Sequence, residues 1–146
     1  MQPLQFAVPL DGLESVADVL PHVIFALVLV TMATRMLANR HHRREAADGA
    51  ESLSRYYPHW AASVLLVLVT FAYMVVHQHA GMIMSALVLG TFISDFFEFE
   101  AREVEARNEM AIERPNGAIF ASAVLFLYAA FQSVFFIIKP IWTAII

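Results

Sequence analysis

Apolar residues along this chain fall in four blocks, each close to twenty residues long and nearly free of charge. Short polar stretches separate them. About twenty helical residues cross the roughly 30 Å hydrocarbon core of a bilayer. The pattern therefore predicts an all-α integral membrane protein, a bundle of four transmembrane helices at about 19–37, 58–77, 81–99 and 118–138, in a single domain over 1–146.

The third block differs from the others. From Gly81 to Asn108 the chain passes, without a Pro or a further break, from an apolar segment striped with small residues into a dense run of acids and arginines. This predicts one helix that leaves the membrane and continues into the aqueous phase. Glu98 with Arg102 and Glu103 with Arg107 stand acid-before-base at i, i+4, the favourable order on a helix. Phe97, Ala101 and Val104 keep one face of the extension apolar. Within the membrane, Ala86, Gly90 and Ser94 recur every four residues, a pattern that lets another helix approach closely.

The connections carry their own signals. Asp11 and Glu14 form a capping-box-like start for a short N-terminal amphipathic helix, with Asp11 as N-cap. Ala38 to Tyr57 reads as a polar loop with some helical character. Pro58 suits the first turn of the second span. His77 to Gly81 is a tight turn, which makes the second and third spans antiparallel neighbours. Lys139-Pro140 is expected to stop the fourth span.

Composition sharpens this picture. The apolar share is 60% and the charged share 15%, against roughly 45–50% and 25% in soluble domains. Cysteine is absent, which excludes disulfides, iron–sulfur clusters, thiolate zinc sites and a cysteine nucleophile. The first twenty residues hold no Lys or Arg, so no cleavable signal peptide is expected. All eight arginines lie in or beside loops 35–57 and 97–117, and only Lys139 lies at the other end. The positive-inside rule then gives a multi-pass protein of the cell membrane with both loops cytoplasmic and both termini outside. The same rule accounts for the basic cluster Arg40 to Arg44 without a nucleic-acid partner.

The run D-F-F-E-F-E-A-R-E-V-E-A-R-N at 95–108 and E-R-P-N-G at 113–117 resemble small four-span membrane proteins of halophilic archaea. So do R-Y-Y-P-H at 55–59 and A-A-F-Q-S-V-F-F at 129–136. That family has no assigned function, so the resemblance implies an archaeal source and nothing about activity.

Candidate chemistry is sparse. His22, His77 and His79 fall near the extracytoplasmic ends of the first two spans, where imidazoles can bind copper or zinc or ligate a haem. His59 is placed to meet Glu98 or take part in a proton relay. Gln132, Tyr128, Thr70 and Tyr73 read as interhelical hydrogen-bond partners. Arg35 and Asp95 lie at similar depth near the cytoplasmic boundary, and Asp95 is too short to snorkel. A salt bridge between the first and third spans is expected. No phosphate-binding loop, dinucleotide fingerprint, nucleophile elbow or zinc-protease motif occurs, and no internal repeat marks a transporter. The expected function is a scaffold or accessory subunit with no catalytic activity of its own, contacting lipid and either other subunits or a second copy. The alternatives are a redox, metal- or haem-binding membrane protein using the three histidines, and a small transporter.

Overall fold

The computed structural model describes residues 10–50 and 52–145. Its helices are α1 (Leu10–Ser15), α2 (Leu20–Ala47), α3 (Tyr57–Val76), α4 (Gln78–Arg107) and α5 (Asn116–Ile145). The last four run up and down as a ring, each packing on the next, with α5 closing onto α2. Each of these four is long and apolar enough to cross a membrane.

The distribution of side chains inverts that of a soluble bundle. Among the described residues twelve polar or charged ones, including Thr31, Arg35, Ser63, Gln132 and Ser133, are buried, while Leu65, Leu68, Phe120, Leu127 and Phe131 point outward. An exterior of this kind suits a hydrocarbon surrounding, in which polar groups find their partners inside the bundle. The central core is Ile24 and Val28 of α2, Leu66 and Tyr73 of α3, Met84 and Val88 of α4, and Leu125 and Ala129 of α5.

Several boundaries differ from those expected. The first transmembrane helix does not give way to a loop after Leu37. It continues to Ala47, so α2 and α4 both project past the apolar zone, and a second small core of Leu53, Ala106 and Ile112 joins them there. Both extensions end in the same backbone motif. Gly49 and Ala50 donate to the carbonyls of Ala46 and Glu45, and Glu109 and Met110 to those of Ala106 and Glu105. This is the Schellman arrangement, which needs a left-handed residue just past the helix. Gly49 supplies it at φ 87° and Glu109 at φ 55°.

The turn between α3 and α4 is tighter than expected, with only His77 between the two helices. A Cβ on Gly81 would overlap the backbone of Met74, so only glycine allows the two helices to lie this close at the turn. At the N-terminus Asp11 is the second residue of α1 rather than its cap. Pro140 does not stop α5, which carries it inside and runs on to Ile145. Proline removes one donor, but in an apolar surrounding the following N–H groups have no better partner than the helix.

Candidate functional site

Charge inside the bundle is concentrated at the basic end, where α2, α3 and α4 meet. Arg35 of α2 donates from Nε to Asp95 Oδ1 at 2.7 Å and from Nη2 to Oδ2 at 2.9 Å. The planar fork meets the carboxylate face to face, the strongest geometry for such a pair. His59 of α3 sits on the same carboxylate, with Nε2 3.0 Å from Oδ2 and Nδ1 2.8 Å from Thr34 Oγ1. Three helices are thus tied through Asp95. His59 does not reach Glu98, because Asp95, one turn earlier on α4, faces it instead.

About two turns further out lies a second buried group, Arg102 with His42. Nη1 of Arg102 donates to Nδ1 of His42 at 2.8 Å, and Nε2 of His42 lies 2.9 Å from the Ser54 carbonyl. A carbonyl only accepts, so Nε2 carries the proton and Nδ1 is left to accept from the guanidinium. His42 is therefore neutral here. Burial lowers its pKa; the Ser54 carbonyl opposes that, and Arg102 reinforces it. Burial also lowers the pKa of Arg102. Arg102 is 5% exposed, its Nε has no hydrogen-bond partner, and among the described residues no carboxylate forms a salt bridge with it. The expected Glu98–Arg102 pair is not formed, since Arg102 turns inward to His42.

The loop after α2 is locked beside this pair. Glu45 accepts from the backbone N–H and hydroxyl of Ser54 and is 2.6 Å from His41 Nε2. Arg55 stacks its guanidinium 5.0 Å from the centre of the Phe99 ring. Between these elements and Trp60, Phe92 and Phe96 is a cavity of about 540 Å³. Arg55, Asp95 and Arg102 all line it. Motif reasoning missed this place because its polar members come from four segments, none with a recognisable spacing. The available signal was Arg102 one turn beyond Glu98 on a face that also carries Asp95.

At the opposite end the three candidate histidines do not form one ligand set. His22 Nδ1 is 2.6 Å from Ser133 Oγ. His77 packs its ring between Tyr73 and Phe136, and its Nε2 is buried without a partner. His79 is exposed. Among the described residues no three His, Cys, Asp or Glu side chains converge to hold a metal. Tyr73 of α3 donates to Gln132 Oε1 of α5 at 3.1 Å, and Gln132 Nε2 in turn donates to the Tyr128 hydroxyl within α5 at 3.2 Å. Ala86 and Gly90 are exposed and Ser94 is half-buried, so the bundle packs α4 through Gly81, Met84, Ser85, Val88 and Thr91 instead.

No curated protein and no solved structure matches the chain. A family match does exist, and it runs through the whole bundle, from the N-terminal leader to the end of α5. Over residues 2–146 the chain belongs to the family described as Domain of unknown function (DUF7313).

Proposed function

We propose that this protein is a scaffold or accessory subunit of a larger membrane assembly and packs a helix of another subunit along α4. One observation carries the reading. Ala86, Gly90, Ile93, Phe97, Ala101 and Val104 lie three or four residues apart along α4, and all are exposed. This is the spacing of a helix–helix seam. In its first half the seam is small, and a Cβ on Gly90 would meet nothing within 4 Å. In its second half Phe97 is 64% and Val104 46% exposed, on the part of the helix that leaves the apolar zone. Small residues facing lipid ask for no partner. A seam that continues as exposed apolar residues into water does.

The charged groups at membrane depth are already engaged in holding the bundle together, which favours a binding role over proton or ion coupling. By the arginine distribution, both termini lie outside the cell and the basic end lies in the cytoplasm. The motif resemblance to four-span proteins of halophilic archaea favours an archaeal source.

Because the chain lacks cysteine, single cysteines can test the seam. Substitutions at Gly90, Phe97 and Val104 are expected to cross-link to a neighbouring chain in native membranes, and substitutions at Leu89 and Glu103 are not. Equal cross-linking at all five positions, or none at any, would overturn the reading.

A second reading, a haem- or metal-binding redox protein, has one observation in its favour. The unpartnered Nε2 of His77 lies beside a cavity of about 520 Å³ that His79 and Lys139 also line. A Soret band or stoichiometric copper in the purified protein would support it, and a colourless, metal-free preparation would remove it.

A further inference from the structure

We propose that the cavity at the basic end is a binding site for one anionic phospholipid, with its phosphate held by Arg102 and Arg55 and its chains leaving between α3 and α4. The inference rests on the membrane placement of the four helices and is independent of any partner on the α4 seam.

Arg102 is the reason to look for an anion. A buried cation is costly unless a counter-charge sits with it. Arg35 has one in Asp95, at 2.7 Å. Arg102 has a neutral imidazole on Nη1 and no partner on Nε. Asp95, Glu98 and Glu105 attract it through space, yet among the described residues none comes within salt-bridge distance. Asp95 is already held by Arg35 and His59. A phosphate diester brings one negative charge and two free oxygens, which suits a guanidinium fork.

The walls decide between a lipid and a soluble anion. The cavity is about 540 Å³, larger than a headgroup phosphate requires, and Trp60, Phe92, Phe96 and Phe99 make most of the remainder apolar. Trp60 is 45% and Phe96 48% exposed, so the apolar side opens at the bundle's outer surface, where the bilayer lies. Tyr57 and Trp60 stand at the level where the exterior changes from apolar to charged, as interfacial aromatics do. A soluble phosphate would use the arginines and leave this apolar space unfilled.

The chain has two tryptophans, so Trp142→Phe leaves Trp60 as a fluorophore in the cavity wall. In phosphatidylcholine vesicles containing this variant, brominated phosphatidylglycerol is expected to quench Trp60 at mole fractions about fivefold lower per arginine engaged than brominated phosphatidylcholine does. Arg102→Gln should bring the two lipids close to parity. Arg55→Gln, at an exposed position, should remove part of the preference with the fold intact, and it decides the matter if Arg102→Gln does not fold. Equal quenching by the two lipids, or a preference unchanged in both variants, overturns the site. Displacement of the brominated lipid by millimolar inorganic phosphate would mean that the site reads a free anion, and the lipid assignment would fall.

Discussion

Arg35 and Asp95, sixty residues apart in the chain, meet with two guanidinium nitrogens, Nε and Nη2, on the two carboxylate oxygens, at 2.7 and 2.9 Å. The pair closes α2 onto α4 at the edge of the apolar zone. Arg35 is 3% and Asp95 12% exposed, so neither charge has water to fall back on. Removing one partner of such a pair costs about 3–5 kcal/mol, because the other is left buried and uncompensated.

The double variant Arg35→Ala, Asp95→Ala should therefore lose less stability than the sum of the two single losses, since either single variant alone already strands a buried charge. The check is a double-mutant cycle on thermal unfolding in detergent, with an expected coupling of about 1–3 kcal/mol. His59 will keep part of the loss from reversing, since it too is left without its carboxylate. Additive effects would show that the contact carries no energy.

Two glycines on α4 should behave in opposite ways. Gly81→Ala places a Cβ on the Met74 backbone, and backbone cannot move aside as a side chain can. The cost should reach or exceed the upper end of about 1–3 kcal/mol for overpacking, read as a loss of thermal stability. Gly90→Ala meets open space and should leave the isolated bundle as stable as the parent or slightly more so, given alanine's helix preference. Gly90→Leu should do the same for the isolated chain while weakening any assembly built on the seam. Size-exclusion chromatography of the complex separates those two effects.

The helix ends give a third test. Gly49 and Glu109 occupy equivalent left-handed positions, but only glycine holds that conformation without strain. Glu109→Gly should stabilise the protein by about 1 kcal/mol and Gly49→Ala should destabilise it by a similar amount. No atom lies within 4 Å of a Cβ at Gly49, so the loss there would be conformational strain alone. Unchanged midpoints in chemical denaturation would contradict the assignment.

How much of this could be read from residues alone depended on the range of the signal. The four long helices follow from hydropathy, which integrates over twenty positions and tolerates local error. The Arg35–Asp95 contact was accessible because depth in a membrane acts as a coordinate, and two opposite charges at one depth have few alternatives. The continuation of α2 was harder to see. Arg40, His41, Arg43 and Arg44 look like loop, and only the spacing of Arg35, Ala38 and His42 betrays the inner face of a helix. The inward turn of Arg102 was hidden by a plausible local partner, Glu98. Pro140 misled for a different reason: it lies inside α5 among apolar residues, where the helix runs on past it to Ile145.

His42 should make the folded protein sensitive to acid. His42 lies in the polar extension of α2, past the apolar zone, and is 2% exposed. Its Nδ1 faces Arg102 and its Nε2 donates to Ser54, so a second proton would have to enter on Nδ1, directly against the Arg102 guanidinium. Its pKa is lowered by burial first and by Arg102 also, against the pull of the Ser54 carbonyl and Glu45. In the unfolded chain the same imidazole titrates at about 6.5. Below that value the unfolded state binds a proton that the folded state refuses, so the folded state loses ground. The stability associated with neutral His42 is full above about pH 6.5 and declines as pH falls toward the lowered folded value. Glu45 adds nothing across this range. Burial raises its pKa, but the Ser54 hydrogen bonds and the neighbouring His41 outweigh that and leave it below the ordinary carboxylate value, so its contribution is lost only in stronger acid. Thermal unfolding of the detergent-solubilised protein should therefore shift to lower temperature between pH 7.5 and 5.5. His42→Asn keeps an oxygen for the Arg102 guanidinium and removes the titration, so its midpoint should start lower and vary less over that range. A variant that follows the parent's pH profile would place the acid sensitivity on another group.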